Sequence, residues 1–291
     1  MNVKFLLNVC LIFLSAAVLA QNVETTSNSV STHRNTVLPE SQNNLQLATG
    51  PVLYNNGPLV NSLGAGAGGL DESILQSLSL GMGTLGLGHQ IVNNNRVADD
   101  FTIASGSWNI SQIEFFAYQT NQTASSITAV HLQIWDGPPG QVGSHVIFGD
   151  MTTNRMSQTA AANILRVTES STGIDTDRQI AVSVVDVNTT LSAGSYWLEW
   201  QADGTGGSGP WAPPITINGS ITTGNGLQST DGGVSYSPAN DTGTSTQMGF
   251  PFIIYGGGPS PVVTQVPTIT FWGLMALVLG LLFFSKRYIR Q

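Results

Sequence analysis

Short runs rich in β-branched and aromatic residues recur along residues 95–256, separated by Gly, Pro, Asn, Asp and Ser. Within several runs apolar and polar positions alternate; in Ile127–Trp135, for example, Val130, Leu132 and Ile134 fall on one face. A period of two residues is typical of a strand with one buried face. The pattern predicts strands at Ala98–Ile103, Ile110–Tyr118, Ile127–Trp135, His145–Phe148, Asn163–Thr168, Gln179–Val187, Ser195–Gln201, Ile215–Ile217 and Met248–Tyr255.

The same region contains no long apolar pattern at the helical period of 3.6 residues. Turn residues separate the runs, as in Asp136–Gly140, which reads DGPPG directly after a strand. The Gly-rich stretch 51–90 contains short apolar pieces that could form the first strands. We therefore expect an all-β domain over residues 51–256, an antiparallel β-sandwich of the jelly-roll type.

Two segments flank this domain. Residues 21–50 show neither period and contain almost no large apolar residues, which predicts a disordered leader. Residues 257–265 are rich in Gly and Pro and predict a linker that ends the last strand.

The N-terminal residues 1–20 have the features of a secretory signal peptide. Lys4 precedes the apolar run Phe5–Leu14, and small residues follow up to Ala20, where we expect cleavage. Cys10 is the only cysteine and lies inside this segment. The exported protein would therefore contain no disulfide, and its core alone would stabilise it.

The C-terminal residues 266–291 read VPTITFWGLMALVLGLLFFSKRYIRQ. As a helix, Ile269–Phe284 would be about 24 Å long, somewhat shorter than the roughly 30 Å hydrocarbon core of a bilayer. Trp272 can anchor one end at the interface, and Lys286 and Arg287 the other. We expect one transmembrane helix with its basic end in the cytoplasm and the β domain outside.

The charge of the exported region is strongly negative. All seventeen acidic residues lie between Glu24 and Asp241, a stretch with five arginines and no lysine, which gives a net charge of about −12. Nucleic acid is therefore not an expected partner, because phosphate binding requires clustered Lys or Arg.

The sequence offers few residues for catalysis, and we expect no catalytic residue and no cofactor. Its four histidines, at positions 33, 89, 131 and 145, form no HExxH motif and no close pair, which argues against a zinc site or a Ser-His-Asp triad. Aspartates at predicted turns could bind Ca²⁺, although Asp also favours turns by accepting nearby backbone N–H groups. These aspartates are Asp136, Asp150, Asp175 and Asp177. A glycosidase-like pair is a further hypothesis, with candidates Asp99, Asp100, Asp136, Asp150 and Glu199.

Tryptophans are candidates for ligand contact. Trp197 and Trp200 lie in the run YWLEW and, three positions apart on a strand, face opposite sides, so we expect only one of them in the core. Together with Trp211 they are possible stacking residues for a sugar. The alternative is that all three pack in the core and under loops.

The tail resembles the IPTL-CTERM sorting signal of exported proteins of Gram-negative bacteria, because it has a Val-Pro-Thr motif, a Trp-Gly pair, an apolar helix and a basic end in that order. The residues that carry the resemblance are Val266, Pro267, Thr268, Trp272, Gly273, Lys286, Arg287 and Arg290. The resemblance implies an inner-membrane processing protease as a partner and a cut near Pro267-Thr268.

The body resembles an uncharacterised β-sandwich domain found with such tails, through Arg96–Phe101, Ile134–Gly140 and Tyr196–Trp200. This resemblance implies location and fold and adds no catalytic residue. The expected function is that of an exported cell-surface or matrix protein without catalytic activity. It would be held briefly in the inner membrane, then passed to the surface or to an extracellular polysaccharide. The alternatives are a carbohydrate-binding module or adhesin, and a carboxylate-dependent hydrolase.

Overall fold

A computed structural model describes residues 21–26 and 47–257 of the chain. These residues form an all-β domain without an α-helix among them. The strands are β1 (Val23–Thr25), β2 (Val52–Asn55), β3 (Asp71–Leu75), β4 (Thr84–Gly88), β5 (Arg96–Ala117), β6 (Ile127–Trp135), β7 (Val146–Asp150), β8 (Met156–Thr168), β9 (Gln179–Gly204), β10 (Trp211–Ala212), β11 (Leu227–Ser229), β12 (Ser237–Pro238) and β13 (Phe252–Gly257). Short 3₁₀ turns lie at Ala67–Gly69, Ile91–Asn93 and Glu169–Ser171.

The strands form two sheets. The smaller sheet has the order β1-β4-β10 and is antiparallel. In the larger sheet the order is β12-β11-β5-β9-β6-β7; β13 joins β2 to β5, and β8 joins β3 to β9. All described pairs are antiparallel except β3 with β8, which run parallel. The larger sheet is therefore mixed rather than purely antiparallel.

The predicted strands agree with the structure most closely where apolar and polar residues alternate. Ile127–Trp135 is strand β6 with the predicted ends, and Val130, Leu132 and Ile134 are 1%, 0% and 0% exposed. Ile215–Ile217 is not a strand: the N–H of Ile215 is instead bonded to Gly249 O. The strand prediction was therefore correct for Ile127–Trp135, where the alternation is long and clear, and wrong for the three-residue run 215–217.

Strands β5 and β9 are much longer than the sequence pattern suggests, at 22 and 26 residues. Each absorbs two predicted strands, and the two pair along their length with register shifts at Ile103/Ser107 and Ile110/Gln112. Gly106, within the first irregularity, has φ +73°, which a residue with a Cβ rarely adopts. The sequence pattern predicts two separate strands in place of β5 because the first irregularity contains the turn-like residues Ala-Ser-Gly-Ser.

This long ribbon folds back on itself at the irregularities. Val97 pairs with Trp200 at one end of the ladder, and Phe115 pairs with Ser183 near the other end. In a straight strand Val97 and Phe115 would be about 60 Å apart, at about 3.3 Å per residue. The rings of Phe115 and Trp200 nevertheless have centroids 4.8 Å apart. Both halves of the ribbon therefore face one core.

Aromatic rings fill the inside of the bend. Phe101 and Trp108, on either side of the irregularity, are stacked with an interplanar angle of 10° and centroids 6.4 Å apart. Tyr54 of β2 and Phe252 of β13 contact the same cluster. Burial of these large apolar surfaces, in a chain without cysteine beyond residue 10, is the main stabilising contribution.

Two described segments within residues 21–50 make specific contacts with the domain, so the prediction of a disordered leader is wrong for them. Val23–Thr25 is strand β1 and pairs with β4. Residues 47–50 lie against the larger sheet, where the N–H groups of Leu47 and Ala48 donate to Glu114 Oε1 at 3.1 and 2.9 Å. Both segments are held by residues far along the chain, and local composition cannot predict such long-range contacts. Residues 27–46 lie outside the described residues.

The predicted signal peptide 1–20, most of the linker 257–265 and the sorting tail 266–291 also lie outside the described residues. Within the described part, no helix has the length and apolar character needed to cross a membrane.

Candidate functional site

A groove on the described domain has a volume of about 760 Å³. Its walls are the end of β1, the loop 77–83 before β4, the 3₁₀ turn at Glu169–Ser171 and the segments 175–178 and 242–243. We call it the Arg178 groove, after the buried cation in its lining. Its volume falls in the range of about 300 to 1,000 Å³ that is usual for small-molecule sites.

Arg178 lies directly before β9 and is 2% exposed. Its Nε donates to Glu24 Oε1 at 3.2 Å and its Nη1 donates to Asp175 Oδ2 at 3.3 Å. Burial opposes the charge, but the carboxylate of Glu24 and the other neighbouring groups raise the pKa of Arg178 above its usual range. Nη2 has no hydrogen-bond partner among the described residues. Oε2 of Glu24, on the carboxylate that accepts from Nε, also has no partner among the described residues, and both atoms are buried.

Glu24 connects the smaller sheet to this cation. It is on β1, 6% exposed, and also accepts a bond from Thr120 Oγ1 at 3.2 Å. The hydroxyl of Tyr118 is buried beside it, and burial, followed by the charge of Glu24, raises the pKa of Tyr118 well above its usual range. The wall of the groove is thus a polar cluster that assembles only when β1 pairs with β4.

A second buried cation, Arg166 of β8, lies behind the groove at 2% exposure. It donates to Leu85 O at 2.8 Å, to Thr84 O at 3.2 Å and to Thr216 Oγ1 at 3.0 Å. Its Nη1 also bonds to the carbonyl and the hydroxyl of Ser73. Burial lowers the pKa of Arg166 to about 10, so it remains charged at neutral pH. Arg166 therefore joins strands β3, β4 and β8 behind the groove.

Two carboxylates fix the loop 77–83 that forms one wall. Asp241 accepts from Gly83 N at 3.0 Å and from Thr84 N at 2.8 Å. Glu169 accepts from Leu78 N at 2.5 Å and from Ser79 N at 2.8 Å. Hydrogen bonds to these two carboxylates therefore position both ends of the loop.

The tryptophans predicted as stacking residues do not line this groove. Trp200 is 1% exposed and packs against Phe115, Phe250 and Phe252, so it cannot offer a face to a sugar. Trp197 is 8% exposed, although it faces the opposite side of the sheet. The expectation that only one of these two is buried is wrong, because side chains and loops cover both faces of the sheet here. Trp211 is half-buried, and its Nε1 donates to Ser208 Oγ at 3.1 Å.

Glu199, a carboxylate named in the hydrolase hypothesis, is fully buried. It accepts from Trp135 Nε1 at 2.8 Å, from Arg96 Nη1 at 3.2 Å and from the hydroxyl of Tyr236. Burial, followed by the charge of Glu199, raises the pKa of Tyr236 above its usual range. With both oxygens engaged by three donors, this carboxylate holds β6, β5 and the segment before β12 together.

Asp99 and Asp150, two other carboxylates of that hypothesis, are also engaged with nearby donors. Asp99 is 1% exposed and accepts from Asn56 Nδ2 at 2.9 Å and from Phe250 N at 2.6 Å. Asp150 accepts from Thr152 N at 2.9 Å, Thr153 N at 2.6 Å and Arg155 Nη2 at 2.8 Å. None of the five candidates lines the Arg178 groove, where a catalytic pair could reach a substrate.

The aspartates considered for Ca²⁺ binding are dispersed. Asp136 accepts from His145 N at 2.6 Å, and Asp175 accepts from Asp177 N at 2.8 Å, which are contacts typical of turn aspartates. Within residues 21–26 and 47–257, no group of three His, Cys, Asp or Glu side chains converges to hold a metal ion.

Sequence reasoning missed Arg178, Glu24 and Arg166 as a group. Arg178 and Arg166 were counted only as scattered charges, and Glu24 was assigned to the leader. No local signal identified them, because arginine side chains are mostly exposed in proteins and these two are buried only through long-range pairing.

Comparison of this chain with protein-family models, with curated proteins and with solved structures gives no match.

Proposed function

We propose that this chain is an exported cell-surface or matrix protein, without catalytic activity, whose β domain binds an external ligand. The signal peptide would direct export, and a C-terminal membrane helix would hold the chain in the inner membrane. An inner-membrane protease would process the sorting tail, and the domain would face the periplasm before it reaches the surface or the medium.

One observation carries the non-catalytic assignment: the buried carboxylates of the domain hold loops and strands. Glu199 and Asp241 each accept at least three hydrogen bonds from donors on separate segments. Glu114 likewise accepts from Leu47 N, Ala48 N and the hydroxyl of Tyr255. A carboxylate whose lone pairs are taken by fixed donors is a poor base or nucleophile.

The contact between Phe115 and Trp200 supports a β-sandwich as the finer architecture. Two halves of the β5 and β9 ribbon that face each other across shared aromatic side chains would form the two layers, each contributing its inward residues to the core. A jelly-roll-like connection between the layers is part of the same proposal.

Epitope tags placed after Gln21 and after Gln291 test the export and sorting part. We expect cells to release, or carry on their surface, a mature protein that keeps the first tag and has lost the second. A mature protein that keeps both tags and stays in the inner membrane would rule out sorting through the tail.

The second candidate function is that of a carbohydrate-binding module or adhesin. The Arg178 groove favours it, since its lining combines hydroxyl side chains such as Ser77 and Thr242 with the apolar side chains of Leu78 and Met82. Ser77→Trp would fill the groove from its half-buried wall, while Ser105→Trp would place the same side chain on an exposed position elsewhere. Loss of binding to immobilised polysaccharide in the first variant and retention in the second would support the groove as the binding site.

A further inference from the structure

Strand β1 is joined to the rest of the domain by a long stretch of chain. It ends at Thr25, and the second described segment begins at Leu47. A chain with the length of residues 27–46 spans at most roughly 70 Å, at about 3.3–3.6 Å per residue. A compact domain of about 210 residues has a radius of gyration of only about 17 Å. The connection is therefore long enough for β1 to reach a neighbouring copy of the domain.

Noncovalent contacts with residues far along the chain hold β1 in place. Asn22 O accepts from Gly88 N at 2.6 Å, and Thr26 N donates to Gly83 O at 3.1 Å. Gln228 accepts from Asn22 N at 3.2 Å and donates to Asn22 O at 2.8 Å. We call the surface that receives the strand the β1 cleft. Its residues are Gly83, Gly88, Thr120, Arg178 and Gln228.

The β1 cleft is incomplete without a strand in it. All five residues of β4 are buried, and β4 lies between β1 and the two-residue strand β10. Removal of β1 would leave one edge of β4 unpaired, and such an edge is a template for another strand. It would also take the Glu24 carboxylate away from the buried Arg178, and breaking a buried ion pair is strongly destabilising.

The fit of the strand depends on its sequence. A Cβ on Gly88 would lie 2.1 Å from Asn22 Oδ1, so glycine allows the close approach of the two strands. Val23 packs against the main core, and Glu24 supplies the charge opposite Arg178. Strand β1 of another copy has the same sequence and can make the same contacts, so the cleft does not distinguish between the two.

We propose that the β1 cleft accepts β1 of a second copy of this chain, so that exchange of this strand links copies to one another. Glu24 of one copy then pairs with Arg178 of the other, and Thr25 and Thr26 of the first copy line the Arg178 groove of the second. Reciprocal exchange gives a closed dimer, and one-way exchange gives an open chain of copies. Exchange of β1 depends neither on a ligand nor on the sorting tail.

Pairing of β1 within its own copy competes with exchange. A strand on a short flexible tether has an effective concentration in the millimolar range. Since both arrangements make the same contacts, exchange should increase as the concentration of the chain approaches that range. A covalent trap detects it at lower concentrations, because each exchanged strand is then retained.

Two single-cysteine chains provide this trap. One carries Asn22→Cys and the other Gly88→Cys, both in the full chain with Cys10→Ser. A Cβ at position 88 would lie 2.7 Å from Asn22 Cγ, close to where the new sulfur at position 22 would lie, so the two positions can form a disulfide. In a mixture of the two chains a link between positions 22 and 88 forms only between copies. Mass spectrometry of peptides after mild oxidation measures that link.

The control mixture combines Asn22→Cys with Ser105→Cys, a substitution at an exposed position outside the cleft. We expect at least ten times more of the 22–88 link than of the 22–105 link, and a yield that rises with the concentration of the chains. Adding Glu24→Arg to the Asn22→Cys chain should lower the yield at least tenfold, because two guanidinium groups would face each other at Arg178. Disulfides formed by chance collisions would instead increase, since the strand of this variant no longer stays in its own cleft.

Circular dichroism shows whether each variant is folded. If Gly88→Cys does not fold, Gln21→Cys and Pro238→Cys replace the pair and are joined by a short bismaleimide. Gln21 Nε2 donates to Pro238 O at 2.8 Å, and Pro238 is exposed, so this pair reports on the same strand with little disturbance of the core.

Two results would overturn the proposal. A yield of the cleft link no higher than that of the control mixture refutes exchange of β1. An unchanged or higher yield with folded Glu24→Arg shows that the link forms outside the β1 cleft and refutes the cleft as the acceptor. Neither result bears on ligand binding or on sorting, and a failure of either of those leaves strand exchange unaffected.

Discussion

The rings of Phe115 and Trp200 lie with their centroids 4.8 Å apart and their planes inclined at 34°. They belong to opposite ends of one ladder, so their contact exists only because β5 and β9 fold back at the irregularity around Gly106. Phe250 and Phe252 of the last part of the domain complete the contact in edge-to-face geometry. This aromatic cluster closes the core.

Trp200→Ala should lower the free energy of unfolding by about 3 to 5 kcal/mol, because a fully buried indole is replaced by a cavity. Trp200→Phe should cost less, since a phenyl ring fills most of the space. Urea unfolding followed by circular dichroism measures both. Val142→Ala, at a fully exposed position, is the control, with an expected change within about 0.5 kcal/mol. Equal effects of Trp200→Ala and Val142→Ala would contradict the folded-back ribbon.

Asp99 should make stability fall as pH rises from about 4 to about 7. Burial raises the pKa of Asp99 to about 7 in the fold, whereas in the unfolded chain it is near 4. Between these values the folded state holds a proton that the unfolded state has lost, so a rise in pH favours unfolding. The contribution is present in full below pH 4 and is lost as pH passes 7.

His89 should have the opposite effect in nearly the same window. It is 1% exposed, and burial lowers its pKa to about 4, against about 6.5 when unfolded. As pH falls from 6.5 to 4 the unfolded state takes up a proton that the folded state does not, and stability is lost. The two groups partly cancel in the unmodified protein.

Single variants separate these two contributions. Asp99→Asn should reveal stability that rises with pH between 4 and 6.5, and His89→Gln should reveal stability that falls between 4 and 7. Denaturation midpoints at pH 4.5, 5.5, 6.5 and 7.5 measure the slopes. Asp186→Asn makes the same substitution at an exposed position and is the control for the exchange of Asp by Asn itself. An unchanged slope in Asp99→Asn would contradict the assignment to Asp99.

Asp241→Ala should loosen the wall of the Arg178 groove. The substitution removes the acceptor of Gly83 N, Thr84 N and Gly243 N at once, and unmet buried donors cost about 1 to 3 kcal/mol each. Amide hydrogen exchange should accelerate in residues 81–84, although these residues lie far from Asp241 along the chain. Asp231→Ala is the control, because Asp231 accepts from Ser235 N in its own turn, and its effect should remain there. Exchange that stays slow at 81–84 in Asp241→Ala would show that other contacts hold the wall.

Arg166→Met should destabilise the domain by about 3 kcal/mol or more, because Leu85 O and Thr84 O lose their donor inside the protein. Arg166→Lys should cost less, since an ammonium can still bond some of these oxygens. Arg155→Met provides the matched comparison: Arg155 is partly exposed and pairs with Asp150, and a surface pair contributes about 0 to 1 kcal/mol. A larger loss from Arg155→Met than from Arg166→Met would overturn the role of Arg166 as a buried connector.

The sequence by itself determined that the domain is all-β and where strand β6 begins and ends. Alternation along Ile127–Trp135 is a local property, because the side chains of a strand point to its two faces in turn whatever it pairs with. The absence of a helical period excluded helices from the domain for the same local reason.

Only the tertiary structure decided which residues meet. Glu24 reaches Arg178, 154 positions further on, through the pairing of β1 with β4. The joining of two predicted strands into β5, the burial of both Trp197 and Trp200, and the groove with an unsatisfied Arg178 Nη2 follow from the same long-range pairing. Partners so distant are selected by the free energy of the whole core and not by any local pattern, so the residue composition could predict a lysine-free acidic β domain but not the site on it.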